Sequence, residues 1–229
     1  MRRKGIVVTI DGPSGAGKGT VAKAIAEKLN LNYIDTGAMY RTVALLAQRR
    51  GINIDDEKEL KALLLEAHIS FKRDDKGKLR VFLGEEDVTE EIRKPEISRL
   101  SSKIATKKVV RDILKVMQRR MGRGGNIVVE GRDMGTYVFP EADFKFYLDA
   151  QLEERTKRRW LQLKEMGMDI DMEEVKREIE ERDRQDMERS EAPLHPAKDA
   201  VIIDTTGLSV EEVVKRILNA MEALKKKNG

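Results

Sequence analysis

An α/β fold with a parallel sheet covered by helices on both faces is predicted by three observations in this 229-residue chain. Short β-branched runs alternate with longer helical stretches, a glycine-rich turn joins the first run to the first helix, and no apolar stretch approaches the roughly 20 residues of a membrane span. The first run, Ile6 to Ile10 in IVVTIDGPSGAGKGT, has the length and composition of a buried strand. Behind the turn, from Lys18 to Leu29, Val21, Ile25 and Leu29 recur on one helical face. Further strands are expected at 32–34, 126–130, 144–148 and 200–204. Helices are expected over 18–29, 37–50, 56–67, 103–121, 152–166, 172–189 and 209–226. Between Ile69 and Val88, ISFKRDDKGKLRVFLGEEDV alternates apolar and polar positions around a DDKGK turn, which predicts a β-hairpin inserted as a small lobe. From Gln151 to Pro196 the text is nearly all charged helix, the composition of a mobile cover. The expected organisation is a core of residues 1–35, 103–150 and 191–229, an inserted lobe over 36–102 and an arginine-rich helical lid over 151–190.

Composition removes several function classes. Lys and Arg number 45 against 41 Asp and Glu, so the net charge of +4 is small and both signs are interspersed as on solvated helix faces. One Trp, four Tyr and five Phe supply few stacking platforms, and a nucleic-acid partner is not expected. Zero cysteines exclude disulfides, zinc–thiolate sites and thiol catalysis. The apolar run behind MRRKG is too short for a signal peptide, and a soluble cytoplasmic monomer with no membrane partner is expected.

The glycine turn carries the most chemistry. Gly12, Pro13, Ser14, Gly15, Ala16, Gly17, Lys18, Gly19 and Thr20 match the Walker A spacing between strand and helix, where successive N–H groups and the lysine cradle a polyphosphate. Its departure is Gly19, which stands where a Mg²⁺-ligating Ser or Thr is usual; the hydroxyl comes one residue later, at Thr20. That form, GxxGxGKGT, resembles the nucleoside monophosphate kinases. The guanine-reading Asn-Lys-x-Asp motif is missing, which weakens a GTPase reading.

Three other segments supply charge. In IDTGAMYR, Thr36 is expected to cap a helix with Tyr40 and Arg41 following, a site for a second anion. In NIVVEGRDMG, Glu130 ends a strand where a carboxylate holds Mg²⁺ through water, and Arg132 and Asp133 follow on a glycine-flanked turn. In ERDRQDMERSEAPL, Arg182, Asp186 and Arg189 share one helical face, with Arg184 offset. Arginines on a closing segment meet the charge of a moving phosphoryl group, and Arg155, Arg158 and Arg159 are expected to face its donor. His68 and His195 lie near no nucleophile, and no general base is evident. A phosphate acceptor needs none, because its second pKa is about 6.

GPSGAGKGT at Gly12, DTGAMYR at Asp35, EGRDMGTYVFPEA at Glu130 and ERDRQDMERSEAPL at Glu181, in this order, resemble the bacterial cytidylate kinases. The similarity spans most of the chain, down to the final VIIDTTGLSVEEVV. The resemblance implies ATP as donor, Mg²⁺ as cofactor, and CMP and dCMP as acceptors. It puts the acceptor phosphate against Arg41, Arg132 and Arg189, with Thr36 in a slot that is often Ser and Tyr40 close by. Cytosine falls to Ser102, Arg111 and Asp133, and the sugar hydroxyl to Arg182 and Asp186. Transfer itself would rest on Lys18, Arg132, Arg182 and Arg189, and the donor on the glycine loop with Arg155 and Arg159. Metal contact would come from Thr20 and Glu130, which stands where many members have Asp. An Asp accepts from the N4 amine of cytosine, whereas uracil would set two acceptors face to face. Two alternatives remain open: a kinase of another monophosphate, UMP or AMP, and a non-catalytic P-loop switch, against which the arginines of 182–189 argue because a switch needs no second anion site.

Overall fold

The computed structural model describes residues 5–75 and 77–228, so the basic start of the chain and Lys76 of the DDKGK turn lie outside the described residues. Two compact units emerge, one made of the chain up to Ile34 together with Gly122 onward, the other of Asp35–Met121.

The first unit holds a five-stranded sheet of β1 (Val7–Asp11), β2 (Asn32–Asp35), β6 (Ile127–Glu130), β7 (Phe144–Asp149) and β8 (Val201–Asp204), in the order β2-β6-β1-β7-β8. β1 runs parallel to both neighbours, with Ile10 opposite Glu130 on one side and Phe146 on the other. All five of its residues are buried, as a central strand covered on both faces requires. Successive strands fall to either side of β1, so its carboxyl end is the switch point where open α/β sheets bind ligands. The glycine loop leaves β1 there. A Cβ on Gly12 would stand 2.0 Å from the Leu148 carbonyl oxygen, so only glycine lets the chain turn beside β7. Helix α1 (Lys18–Lys28) packs on β1, β6 and α8 (Val210–Asn228). Helices α6 (Leu152–Glu165) and α7 (Met172–Glu188) pack on each other around buried Leu163, Val175 and Ile179, a small core inside a segment whose composition suggests almost none.

The second unit contains α2 (Thr36–Arg50), α3 (Glu57–Glu66), α4 (Pro95–Ala105) and α5 (Lys108–Met121), a 3₁₀ turn at Glu91–Arg93, and a separate sheet. Met39, Leu45, Leu60, Ile92, Ile97, Ile104 and Leu114 are fully buried in its core. The expected hairpin is present as β3 (Ile69–Arg73) against β4 (Leu79–Leu83), and a turn at Gly84 adds a short third strand, β5 (Glu86–Asp87).

Two sequence expectations are corrected here. The single helix over 103–121 is two, because the chain breaks at Thr106 and Lys107 and α4 extends back to Pro95. Pro95 at the first helical position was a legible start signal, but the buried face of α4 includes Ser101 between Ile97 and Ile104, which interrupts the apolar period. The cap of α2 is Asp35 and not Thr36: the Asp35 carboxylate accepts from the Ala38 N–H at 2.8 Å, and Thr36 is already helical and buried. β2 runs to Asp35 with no loop residue before the helix, so the last strand residue is the one free to cap. Among the described residues no helix is long and apolar enough to cross a membrane.

Candidate active site

Lys18 opens α1 behind a left-handed Gly17, and its side chain is buried with Nζ donating to the Pro13 carbonyl at 2.5 Å. Burial, and then the charge of Arg132, push its pKa down to about 7, against the opposing pull of Glu130 and Asp183. The lysine is therefore poised to gain charge when phosphate oxygens arrive.

The loop after β6 is held from below. Asp11, the last residue of β1, accepts from the Met134 and Gly135 N–H groups, each at 2.8 Å. Burial pushes the Asp11 carboxyl up to about 6, more than these two bonds lower it. A single π turn over Met134–Val138 follows, with the Tyr137 and Val138 N–H groups both reaching the Asp133 carbonyl. Arg132 and Asp133 are thus carried on a clamped backbone, the kind of local irregularity found at functional sites.

Arg132, Asp133, Asp186 and Arg189 come together in one charged cluster. Arg132 Nε meets Asp186 Oδ2 at 2.9 Å, Arg189 Nη1 meets Asp186 Oδ1 at 3.0 Å, and Arg189 Nη2 stands 3.8 Å from Asp133 Oδ1. Burial would raise the Asp186 pKa, but Arg132, Arg182 and Arg189 outweigh it and hold the carboxyl below its ordinary value. Burial likewise opposes the Arg132 charge, yet Asp186 and Asp183 leave its pKa above the usual. Arg182 is half-buried and near enough to act on both Lys18 and Asp186. α7 ends at Glu188, so Arg189 is not on the helix as expected. It is extended and donates from Nε and Nη2 to the Ala192 carbonyl, where a left-handed Ala192 turns the chain.

The lid arginines divide. Arg155 donates to the Ser14 carbonyl at 3.0 Å and pairs with Asp183. Arg158 binds Thr205 and Glu154, and its Nη1 lies 3.8 Å from where a Cβ on Gly17 would stand. Arg159 donates to Gln162, within the same helix. In the first turn of α1, beside Gly19, Glu130 ends β6 and accepts from the Tyr33 hydroxyl, while Thr20 faces solvent.

Thr36, Tyr40, Arg41, Ser102 and Arg111 belong to the second unit, on helices α2, α4 and α5, which pack on one another. Arg41 pairs with Asp35 at 3.2 Å, Ser102 turns toward the Ser98 carbonyl at 3.4 Å, and buried Arg111 donates to the Ala105 carbonyl at 3.2 Å.

Comparison with known proteins covers all of these residues. A family model described as cytidylate kinase matches residues 8–223. The chain belongs to the cytidylate kinase family. Cytidylate kinase of Geobacter sulfurreducens is 51% identical over 215 residues, 94% of this chain and 92% of that protein. Those of Syntrophotalea carbinolica and Desulfitobacterium hafniense are 49% and 46% identical, over 94% and 95% of this chain and 92% and 93% of their own lengths. Among solved structures, an uncharacterized protein from Eubacterium ventriosum is similar in fold alone, with a TM-score of 0.51 at 13% identity over 95% of this chain and 98% of that one.

Three polar residues of this cytidylate kinase family member escaped the sequence reading. Asp11 was visible as an acid ending an apolar strand, a buried polar position that needs donors. Asp183 lies three residues before Asp186, hence on the same helical face, and its Oδ1 accepts from the Ser14 N–H at 2.9 Å. Tyr33 carried no signal, since an aromatic residue in a short strand ordinarily means packing.

Proposed function

We propose that this chain transfers the γ-phosphoryl group of ATP to CMP and dCMP, giving CDP and dCDP. The observation that carries the reading is the buried Lys18 of the glycine loop with Arg132 and Arg182 near enough to act on it, while Asp186 holds both Arg132 and Arg189. An oxygen of the acceptor phosphate attacks the γ-phosphorus, the bond to the β,γ-bridging oxygen breaks, and ADP leaves. Charge grows on the equatorial and leaving oxygens, and Lys18, Arg132, Arg182 and Arg189 meet it from positions already held, so little reorganisation is needed. The acceptor phosphate is ionised near neutral pH, which removes the need for a base.

The donor is assigned to residues 12–20 with Arg155, Arg158 and Arg159. The acceptor phosphate is assigned to Thr36, Tyr40, Arg41, Arg132 and Arg189, cytosine to Ser102, Arg111 and Asp133, and the sugar to Arg182 and Asp186. The proposal further takes the protein as a cytoplasmic monomer acting on soluble nucleotides without a nucleic-acid partner. Magnesium fits as a third component. Among the described residues no group of three or more His, Cys, Asp or Glu could hold a metal by itself. The donors nearby are hard oxygens, the Glu130 carboxylate beside Gly19 and the Thr20 hydroxyl next in the chain. That set suits an ion that keeps most of its waters and takes phosphate oxygens as ligands. When bound, it would neutralise charge on the β- and γ-phosphates.

A coupled ADP-release assay across CMP, dCMP, UMP, AMP and GMP tests the reading, run on the wild type and Asp133→Ala. CMP and dCMP are expected to lead UMP by about 10²-fold or more in kcat/KM. Asp133→Ala should erase most of that margin with the KM for ATP little changed. UMP as the best acceptor, or equal losses for donor and acceptor, would overturn the assignment.

The Lys18 pKa of about 7 gives a second expectation. At pH 8 the free protein holds this amine mostly neutral, and the phosphates of ADP restore its charge, so binding takes up close to one proton. At pH 6 the amine is already charged and this uptake vanishes. Calorimetry in buffers of different ionisation enthalpy measures it, and Lys18→Met should lose the pH 8 uptake; uptake equal to wild type in that variant would contradict the assignment.

A further inference from the structure

We propose that Tyr33 is a positioning residue for Glu130, and that position 19 is glycine because the Glu130 carboxylate fills the space a side-chain hydroxyl would take. The proposal rests on the reading of Glu130 as the residue that meets Mg²⁺ through water.

The geometry joins the two halves of that statement. A Cβ on Gly19 would stand 2.8 Å from Glu130 Oε1 and 3.5 Å from the Tyr33 hydroxyl oxygen. Both distances are to groups that the Tyr33 to Glu130 hydrogen bond ties together, and the oxygen receiving that bond is Oε1 itself. A Ser or Thr at position 19 could not sit there without driving the carboxylate away. The missing hydroxyl of the glycine loop is thus matched by a carboxylate oxygen brought in from β6, at the same turn of α1.

A glutamate in this position needs a guide. Its side chain has one more rotatable bond than aspartate, so a free Glu130 would spread its carboxylate over several rotamers. Tyr33 lies on β2, the strand next to β6, and only 6% of it is exposed, so the ring is fixed by packing and the hydroxyl is aimed across the strand. Lys23 Nζ stands over the same ring, 5.7 Å from its centre. The phenolic bond takes one of about four acceptor positions on the carboxylate, and its role is to orient the group that would meet the water of a metal ion. Tyr33 therefore acts on the ion through Glu130 and touches neither ion nor nucleotide.

The test is the magnesium dependence of ADP binding by calorimetry, comparing wild type, Tyr33→Phe and Glu130→Gln. Tyr33→Phe keeps the ring and its packing, and its melting temperature checks the fold. The dissociation constant for ADP without Mg²⁺ should stay within about twofold, while the tightening produced by Mg²⁺ should fall by about tenfold, the size seen when a residue orienting a metal ligand is removed. The Mg²⁺ concentration for half-maximal turnover should rise in step, with the KM for CMP unmoved. Wild-type tightening in Tyr33→Phe, with tightening lost in Glu130→Gln, would overturn the positioning role alone. Wild-type tightening in Glu130→Gln would instead remove the metal reading beneath it. An equal loss of ADP affinity with and without Mg²⁺ in Tyr33→Phe would mark a merely structural tyrosine and overturn the proposal as well.

Discussion

Lys18→Met is expected to stop turnover and raise the melting temperature of the nucleotide-free protein. Loss of a cation aimed at developing phosphoryl charge should lower kcat by about 10³-fold or more. The gain in stability comes from the other side of the same placement. Burial and Arg132 bring the Lys18 pKa from 10.5 to about 7, and that net shift already includes the favourable pull of Glu130 and Asp183. At Lys18 the unfolded chain therefore binds more protons than the folded one between about pH 7 and pH 10.5, so this group's contribution to stability rises with pH across that window. Below pH 7 the folded protein carries the buried cation and bears the full cost. Met fills similar space without charge, so its advantage should be largest near pH 6, about 5 °C in melting temperature, and should shrink as pH climbs toward 10. The lost bond to the Pro13 carbonyl works against this gain but is a single neutral-acceptor contact. A melting temperature below wild type at pH 6, or kcat within tenfold of wild type, would refute the account.

Arg132→Ala is expected to fail in both stability and turnover, and a second substitution should separate the two. The Arg132 and Asp186 side chains are 18% and 12% exposed, so removing the guanidinium leaves a buried carboxylate with one strong partner fewer. Breaking such a pair from one side costs about 3 kcal/mol, or roughly 9 °C in a chain of this size. Replacing Asp186 by Asn in the same protein removes the stranded charge and should restore most of the stability. Turnover should stay down by about 10³-fold in both proteins, since neither presents Arg132 to the moving phosphoryl group. The pH dependence follows from Asp186. Burial raises its pKa, Arg132, Arg182 and Arg189 lower it further, and the net value lies below 3.8. Its contribution is fully present above the unfolded value of 3.8 and is lost as pH falls through the lower folded one. The stability gap between wild type and Arg132→Ala should accordingly be constant from pH 7 to about 5 and narrow below about 4. Denaturant melts at these pH values check it, and a gap that widens in acid would exclude the carboxylate as the cause.

How much was legible can be judged from particular residues. The glycine loop, the strand before it and the helix behind it follow from glycine positions and a single apolar face, both local properties. Charge types mark Arg132 with Asp133 and Arg182 with Asp186 and Arg189 as two separate segments, and it is the family resemblance that draws them to one substrate across the 57 residues from Arg132 to Arg189. What failed was subtler. α4 was missed because its buried face includes Ser101, whose hydroxyl is satisfied by the Ser98 carbonyl at 2.8 Å, so a polar residue occupies a core position that period alone does not reveal. Thr36 lost the cap to Asp35 because two good capping residues stand side by side and the end of β2 decides between them. Among the lid arginines, Arg155 and Arg158 are turned toward the glycine loop by Ser14, Asp183 and Thr205, partners from distant parts of the chain.

The sequence by itself determined the class of fold, the phosphate loop and the set of charged residues that make this a member of its family, since these depend on residue type and short-range spacing. Only the tertiary structure decided what each charge does to its neighbours. Asp11 became a clamp on the Arg132 loop, Lys18 an amine whose pKa burial pulls down, and Gly19 a gap occupied by Glu130, because desolvation and approach within about 3 Å depend on which strands lie side by side. Spacing along a chain carries no record of that, and the parallel sheet order that places β6 between β1 and β2 supplies it.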